Sequence, residues 1–264
     1  MILECDGRVC RCGKGHSFDR ARSGYVNLLQ PQDSRSRTPG DPVEAVRARR
    51  RLADEGLGSE LSDHLADLLE PIIQDSGCTI LDVGCGEGSH LTRLSARLGC
   101  DAAGLDLSVP AIDLAARRCP DVMWVVANAD RFLPFPDGSF EVLLSITSRR
   151  NASEFSRVLA PGGRAIVVVP GPSDLIELRE AVLGEGITRS RVEGVVEDLG
   201  AGFDLEQSVR SVQRQMLSRE TLVDILRATY RGARRRQLER IESLGDMPVT
   251  FESDVLMFRK KVAR

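Results

Sequence analysis

The sequence is poor in several residue types, and each shortage excludes a class of protein. Aromatic residues make up 4% of the 264 residues, 3 are histidine, and no run approaches the roughly 18 to 20 apolar residues that a membrane-spanning helix needs. The N-terminus also lacks the basic and apolar segments of a signal peptide. With 42% hydrophobic and 28% charged residues, the composition excludes disordered, collagen-like and coiled-coil chains. We therefore expect a soluble, cytoplasmic, globular protein without a membrane partner.

Lysine is nearly absent, since the 36 basic residues include only Lys14, Lys260 and Lys261 and the others are arginine. The net charge is −3, so total charge alone indicates no nucleic-acid partner. Clusters of arginine occur at Arg47, Arg49, Arg50, Arg51, Arg149, Arg150, Arg231, Arg234, Arg235 and Arg236. A guanidinium group pairs well with phosphate, and a solvated helix face is the alternative explanation of each cluster.

The seven cysteines fall into two groups. Four of them lie in a segment that has the pattern of a buried α/β core, at Cys78, Cys85, Cys100 and Cys119. A disulfide framework is not expected in a cytoplasmic chain of this length. The other three, Cys5, Cys10 and Cys12, crowd the first dozen residues and raise the question of a metal site.

Three regions follow from the pattern of apolar residues. Residues 1–38 form a small element that contains Cys and His, residues 39–75 a connection of two predicted helices, and residues 76–264 an α/β domain. Short apolar runs predict strands at residues 79–83, 102–106, 123–126, 140–146 and 164–169, with helices between them. Strands that alternate with helices indicate a parallel sheet with both faces covered.

The last third of the chain completes this sheet in our prediction. We expect a helix over residues 175–183, a polar loop after it, and strands near residues 209 and 255. Two more helices are predicted, one near Ser218 and one over residues 234–244. The fold class is therefore α/β, a Rossmann-like open sheet of seven strands.

A glycine-rich segment joins the first of these strands to its helix. In Asp82-Val-Gly84-Cys85-Gly86-Glu87-Gly88 the glycines recur at every second position, a tighter spacing than in the dinucleotide fingerprint. Glycine lets the backbone turn sharply and approach a ligand closely. Asp106 ends the next predicted strand, 24 residues after Asp82, where a carboxylate can accept both hydroxyl groups of a ribose. A tight turn without a ligand, or a nicotinamide cofactor, is the alternative.

This combination resembles the nucleotide-binding signature of class I S-adenosylmethionine-dependent methyltransferases. The resemblance implies contacts of the adenine with the segment around Asn128, and of the methionine and adenosine moieties with the third glycine, since a sulfonium cofactor needs no phosphate cradle. The implied cofactor residues are Asp82, Gly84, Cys85, Gly86, Gly88, Asp106, Leu107, Asn128 and Ala129.

A second resemblance concerns the acceptor. The segment from Cys12 to Leu29, with Phe18-Asp19 and Gly24-Tyr25-Val26-Asn27, is similar to bacterial large-subunit rRNA guanine N1-methyltransferases, and the similarity extends over roughly residues 9–180. It implies rRNA as the partner and N1 of a guanine as the methyl acceptor. The substrate-binding candidates are Tyr25, Arg49, Arg50, Arg150 and Asn151.

That family carries an N-terminal zinc ribbon, and Cys12 and His16 match its last two ligands. The CxxC pair that precedes them in the family is missing here, so Cys5 and Cys10 are the available replacements. Four such ligands suit tetrahedral zinc. A degenerate ribbon without metal is the alternative.

Several questions stay open at this stage. The segment after the fourth strand, Thr147-Ser148-Arg149, departs from the family pattern, and no general base is assigned. His64 and His90 are expected on helix surfaces, and Trp124 in the core. A small-molecule methyltransferase and a catalytically silent binding protein remain alternatives to an RNA methyltransferase, and the oligomeric state, with a homodimer as one option, is open.

Overall fold

A computed structural model of the chain describes residues 3–6, 8–13, 15–29, 40–73, 78–184, 186, 188–229, 239–241 and 243–262. Among them, no helix has both the length and the apolar character needed to cross a membrane. The predicted helix over residues 234–244 and the arginine cluster from Arg231 to Arg236 fall mostly or wholly outside the described residues.

The N-terminal residues form a small antiparallel sheet. Its strands are β1 (Leu3–Asp6), β2 (Val9–Cys12) and β3 (Ser17–Asp19), and β2 lies in the middle. Side chains alternate along β2, so that Cys10 and Cys12 are both buried on the same face while Arg11 is exposed.

The main sheet has eight strands. In chain order they are β4 (Val26–Asn27), β5 (Thr79–Val83), β6 (Asp101–Asp106), β7 (Met123–Val126), β8 (Phe140–Ile146), β9 (Leu159–Pro170), β10 (Phe203–Leu217) and β11 (Met247–Lys260). Their order across the sheet is β10-β11-β9-β8-β5-β6-β7-β4. The strands from β4 to β9 pair in parallel, while β11 and β10 are antiparallel to their neighbours.

Helices cover both faces of this sheet. They are α1 (Val43–Asp54), α2 (Ser59–Leu69), α3 (Ser89–Leu98), α4 (Val109–Arg118), α5 (Ala152–Val158), α6 (Ile176–Leu183), α7 (Val192–Leu199) and α8 (Arg219–Thr229). Successive side chains of β5 point to opposite faces, so that Leu81 packs in one hydrophobic cluster with α5 and α7 and Ile80 in another with α2, α3 and α4. The apolar strands are thus buried on both sides, as a parallel sheet requires.

The seven predicted strands are present, and the structure adds an eighth at the edge. β4 extends the sheet beside β7, with Val26 opposite Val125, and the Leu28 amide donates to the Val126 carbonyl at 2.9 Å. A two-residue strand carries no periodicity that sequence reasoning could detect. The N-terminal chain is consequently built into the main sheet.

Two further differences from the sequence prediction are an additional helix and an earlier start of one strand. The predicted polar loop after residue 183 contains α7, because Val195 and Leu199, four positions apart, bury one face of a short helix. β9 begins at Leu159, earlier than predicted, because Leu159 already pairs with Phe140 of β8, and the Pro161-Gly162-Gly163 segment lies in the register irregularity before Arg164.

Arg157 fixes the long connection between β7 and β8. Its guanidinium donates to the carbonyls of Leu133 and Phe135 at 2.7 and 2.8 Å and pairs with Glu154 and Asp137. These bonds satisfy backbone groups of a loop that has no strand or helix to do so.

We predict that Arg157→Lys destabilises the protein by about 1 to 3 kcal/mol, because one ammonium group cannot span acceptors that the planar guanidinium reaches together. Arg164→Lys is the control, since Arg164 pairs mainly with Glu206 near the surface and such a pair contributes about 1 kcal/mol or less. Urea denaturation measures both. Equal losses in the two variants would contradict the anchoring role of Arg157.

Candidate active site

The glycine segment lies at the carboxyl end of β5, in the middle of the sheet. β5 pairs with β6 on one side and with β8 on the other, so the strand order reverses here. Ligands of open α/β sheets bind in the crevice at such a switch point. The amides of Gly84 and Cys85 both donate to the Leu105 carbonyl, at 2.7 and 3.1 Å, and hold the turn against the end of β6.

The three glycines of this turn have positive φ, but they face different surroundings. A Cβ on Gly84 would lie 2.4 Å from Cβ of Ser148, and one on Gly88 would lie 2.3 Å from Cη2 of Trp124. A Cβ on Gly86 would meet no atom within 4 Å. Gly86 is therefore the glycine that borders open space, whereas Gly84 and Gly88 are required by packing within the protein.

Gly88 packs against an indole ring in the core. Trp124 occupies the space beside both Gly88 and Gly104, and its Nε1 donates to the Cys119 carbonyl at 2.7 Å. With 3% of its surface exposed, Trp124 lies in the core as predicted. Packing by this indole requires a glycine at position 88, and the predicted contact of Gly88 with the cofactor stays a prediction.

Asp106 connects the turn to the next helix. Its Oδ2 accepts from the Gly86 amide at 2.9 Å, and its Oδ1 accepts from the Ser108 amide at 2.7 Å. Burial raises the pKa of Asp106, and these two hydrogen bonds act in the opposite direction. Each carboxylate oxygen keeps a second acceptor position. A pair of ribose hydroxyl groups can use those positions.

Behind the turn lies a buried acidic pair. Asp82 is 2% exposed and Glu87 is 8% exposed. Burial, together with the nearby charges of Asp106 and Glu87, raises the pKa of Asp82 to about 8. No described atom satisfies Asp82 Oδ1. A buried acidic oxygen without a partner fits a cationic ligand, and S-adenosylmethionine carries both a sulfonium and an ammonium group.

The predicted adenine segment follows β7 on the same side. Asn128 Oδ1 accepts from the Asp130 amide at 3.1 Å, which shapes the turn locally. Asn151, at the N-terminus of α5, donates to the Ala129 and Asp130 carbonyls at 3.4 and 3.2 Å and accepts from the Glu154 amide. The structure thus gives Asn151 a capping role that fixes the Asn128 turn. Its predicted contact with substrate stays a prediction.

The remaining two cofactor candidates lie at the edges of this crevice. Cys85 is partly buried, and a Cβ on Gly104 would lie 3.0 Å from its Sγ. Burial raises the pKa of the Cys85 thiol well above its ordinary value, so it stays protonated. Leu107 directly follows Asp106 and is half-buried.

Sequence reasoning assigned no role to Ser145, Thr147 or Ser148 around the end of β8, and the structure brings Ser148 to the glycine turn. Ser148 Oγ donates to the Val83 carbonyl at 2.5 Å and lies 2.9 Å from Ser145 Oγ. Thr147 has φ of 53°, a strained conformation for a β-branched residue. Such strain clusters at functional sites. The signal in the sequence was the departure from the family pattern at these positions.

The arginines predicted to bind substrate are engaged within the protein. Arg49 pairs with Asp41 at 2.5 Å, Arg50 with Asp54, and Arg150 with Asp198 at 2.7 Å. Arg51 pairs with Asp224 at 2.5 Å and Arg49 also donates to the Ala228 carbonyl, so these two arginines of the cluster join α1 to α8. The sequence did not indicate these ion pairs, because each acidic partner lies one helical turn or more away from its arginine along the chain.

Tyr25 and His90 are also packed against the protein. Tyr25 lies against the cluster that α4 contributes to, and burial raises the pKa of its hydroxyl. His90 was expected on a helix surface. Its Nδ1 instead lies 2.8 Å from Ser62 Oγ, between α2 and α3.

The predicted zinc ligands are only partly assembled. Cys12 Sγ and His16 Nδ1 lie 3.5 Å apart. Cys10 is disulfide-bonded and lies opposite Cys5 in the register of β1 and β2. Among the described residues, no group of three metal-ligating side chains comes together. The predicted zinc site at Cys5, Cys10, Cys12 and His16 therefore stays a prediction.

Comparison with family models and with solved structures identifies what this chain is similar to. A model of a methyltransferase domain matches residues 80–163, and a model of the RlmA N-terminal zinc ribbon matches residues 1–37. Among solved structures, the YcgJ protein of Bacillus subtilis covers 76% of this chain and 100% of its own at 16% identity, with a TM-score of 0.54. The cyclase SpnF is also similar, with a TM-score of 0.51 and 22% identity over 76% of this chain and 82% of its own. These likenesses show the fold alone.

Relatives with similar sequences give more specific information, because their names state a reaction. The 23S rRNA (guanine(748)-N(1))-methyltransferase of Streptomyces fradiae is 36% identical over 76% of this chain and 72% of its own. YxjB of Bacillus subtilis, provisionally named a 23S rRNA (guanine-N1)-methyltransferase, is 34% identical over 94% of this chain and 89% of its own.

The parallel sheet, the crevice at its switch point and the matching family model together define a class I methyltransferase that uses S-adenosylmethionine. Within that class, identity of 34% across almost the whole chain shows that the protein belongs to the 23S rRNA (guanine-N1)-methyltransferase family.

We predict that Gly86→Ala and Gly88→Ala separate ligand binding from packing. Gly86→Ala should cost about 1 to 2 kcal/mol in stability through its positive φ and weaken S-adenosylmethionine binding by about tenfold, because the new methyl group enters the crevice. Gly88→Ala should destabilise by about 3 kcal/mol or more through the clash with Trp124. Thermal unfolding and calorimetry measure these effects. The reverse ranking of the stability losses would refute the distinction.

A pH dependence follows from Asp82. Below its pKa of about 8 the carboxyl group is largely neutral, and binding of a cation favours the ionised form. Affinity for S-adenosylmethionine should therefore rise between about pH 6.5 and 8.5, with proton release on binding below the pKa. Calorimetry in buffers of different ionisation enthalpy measures the released proton. Asp82→Asn is the control, and an unchanged pH profile in this variant would exclude Asp82 as the source.

Proposed function

We propose that the protein transfers the methyl group of S-adenosylmethionine to N1 of a guanine in 23S rRNA. The observation that carries this proposal is the open space beside Gly86, whose amide binds Asp106, in a chain related over almost its whole length to enzymes named for that reaction. We assign the ribose hydroxyl groups to Asp106 and the positive charge of the cofactor to the side of Asp82.

The chemistry is an in-line displacement. The N1 lone pair forms the new N–C bond while the C–S bond breaks, S-adenosylhomocysteine leaves, and the N1 proton passes to a base. The protein accelerates such a step mainly by holding the acceptor in line with the methyl group. Thr147 and Ser148, beside Gly84, are placed to form the wall on the acceptor side.

The structure changes which arginines we assign to RNA. Arg8, Arg11 and Arg22 of the N-terminal segment are exposed, and the ion pairs formed by the described residues do not involve them. Arg49 and Arg50 are already neutralised by Asp41 and Asp54. A guanidinium without an acidic partner binds a phosphate without first breaking an ion pair. We therefore assign phosphate contacts to the N-terminal arginines.

The triple variant Arg8→Gln, Arg11→Gln and Arg22→Gln tests this assignment. Loss of three phosphate contacts should weaken RNA binding and reduce the slope of log Kd against log salt by about 2, while affinity for S-adenosylmethionine stays unchanged. The matched control replaces three exposed but paired arginines, Arg93, Arg117 and Arg219, by glutamine. Equal slopes in both triple variants would contradict the assignment.

Methyl transfer itself is tested on rRNA that lacks modification. Purified protein and labelled S-adenosylmethionine should label 23S rRNA, and reverse transcription should stop at the modified guanine because a methyl group on N1 blocks Watson-Crick pairing. Label that enters small molecules but no RNA would overturn the proposal in favour of a small-molecule methyltransferase.

An rRNA substrate would place the enzyme in the cytoplasm. A homodimer and a zinc ion at the N-terminal sheet also stay predictions. Light scattering and elemental analysis of the purified protein test them.

A further inference from the structure

The segment that leads into α1 lies directly against Ser108, two residues after Asp106. Gly40 has φ of +82°, and a Cβ at this position would lie 2.7 Å from the backbone of Ser108. Ser108 Oγ donates to the Asp41 carbonyl at 2.9 Å. Ser108 is 1% exposed, and its hydroxyl serves this contact instead of capping α4. The backbone of residues 40–41 thus forms a wall that holds Ser108 in place.

An ion pair fixes this wall from behind. Arg49, one and a half turns into α1, donates to Asp41 Oδ2 at 2.5 Å and to the Ala228 carbonyl in α8 at 2.9 Å. Both partners of the pair are largely shielded, with 34% and 19% of their side chains exposed. A continuous set of contacts therefore runs from α8 through Arg49, Asp41 and Ser108 to Asp106.

The last contact in this set bears on the cofactor. The Ser108 amide donates to Asp106 Oδ1, while the Gly86 amide holds Oδ2, so the two bonds together fix the rotation of the carboxylate. A carboxylate accepts two ribose hydroxyl groups only when its plane is aligned with them. Any shift of Ser108 releases one of the two bonds that align it.

We propose that Asp41 and Arg49 are positioning residues for the cofactor, which hold Ser108 so that the carboxylate of Asp106 keeps the orientation required by the ribose. The proposal rests on the assignment of Asp106 to the ribose. It concerns a residue pair that lies outside the glycine turn.

Arg50 offers a matched control on the same helix. It pairs with Asp54 one turn along α1, and Asp54 is 48% exposed. Loss of this pair removes one positive charge from the same helix but leaves the wall at Gly40 and Asp41 intact. Arg49→Gln and Arg50→Gln therefore differ in their connection to Asp106.

The test compares two ligands, S-adenosylhomocysteine and its 2′-deoxy analogue, by calorimetry. In the unaltered protein the missing hydroxyl should weaken binding by about tenfold. Arg49→Gln should weaken binding of S-adenosylhomocysteine by about fivefold and shrink the discrimination between the ligands to about twofold. Asp41→Asn, which keeps the shape of the side chain, should do the same. Arg50→Gln should stay within about twofold of the unaltered protein for both ligands.

The outcomes separate this inference from the assignment on which it rests. If Asp106→Ala retains the discrimination, the ribose assignment itself is wrong. If Asp106→Ala loses it while Arg49→Gln and Asp41→Asn keep it, the positioning role is refuted. Weaker binding with full discrimination in Arg49→Gln, accompanied by a lower melting temperature, would also refute it, because a general loss of stability does not distinguish the two ligands.

Discussion

The carboxylate of Asp106 is the point on which the site depends. It accepts one hydrogen bond from a backbone amide of the glycine turn and another from a backbone amide at the start of α4. One side chain therefore joins two loops on the same edge of the sheet. Burial makes the charged form of such a group costly, and two short hydrogen bonds offset part of that cost. The result is an oriented acceptor in a crevice that already contains the buried acid Asp82. A cationic cofactor with a ribose matches both features.

Arginine serves a different purpose in this protein than its abundance first indicates. Most of the described arginines of the α/β body form ion pairs, several of them with acids far along the chain, such as Arg51 with Asp224. A planar guanidinium can join helices and satisfy loop carbonyls together, as Arg157 does. Among the described residues, Arg8, Arg11 and Arg22 of the N-terminal segment are exposed and form no ion pair, so their positive charge is available to a polyanion.

That segment is joined to the catalytic body at two places. β4 extends the main sheet next to β7, which leads to the predicted adenine turn, and Ser23 donates to Asp113 in α4 at 2.7 Å. The chain then returns at Gly40 and Asp41 to the residue beside Asp106. An RNA held by the N-terminal arginines would therefore lie on elements that border the cofactor crevice.

Much of the fold followed from local pattern, because a buried parallel strand must be apolar on both faces and a helix on one. β5, β7 and β8 begin and end where their apolar runs do. The Gly-rich turn and Asp106 were identifiable because their spacing is set by the length of one strand-helix-strand unit. The family was identifiable from the block around Tyr25, whose residues no general fold constraint requires.

Tertiary structure alone decided what depends on partners far apart in the chain. Whether Arg49 faces RNA or Asp41, and whether Gly88 faces a ligand or Trp124, is set by which side chains the sheet brings together. β4 could not be predicted from the sequence for the same reason, since two residues become a strand only when the edge of a neighbouring strand supplies their hydrogen bonds. The sequence by itself determined the sheet, the turn and the acid at its end. Only the tertiary structure decided which charged side chains form internal ion pairs and which stay exposed, because ion pairs depend on distances in space.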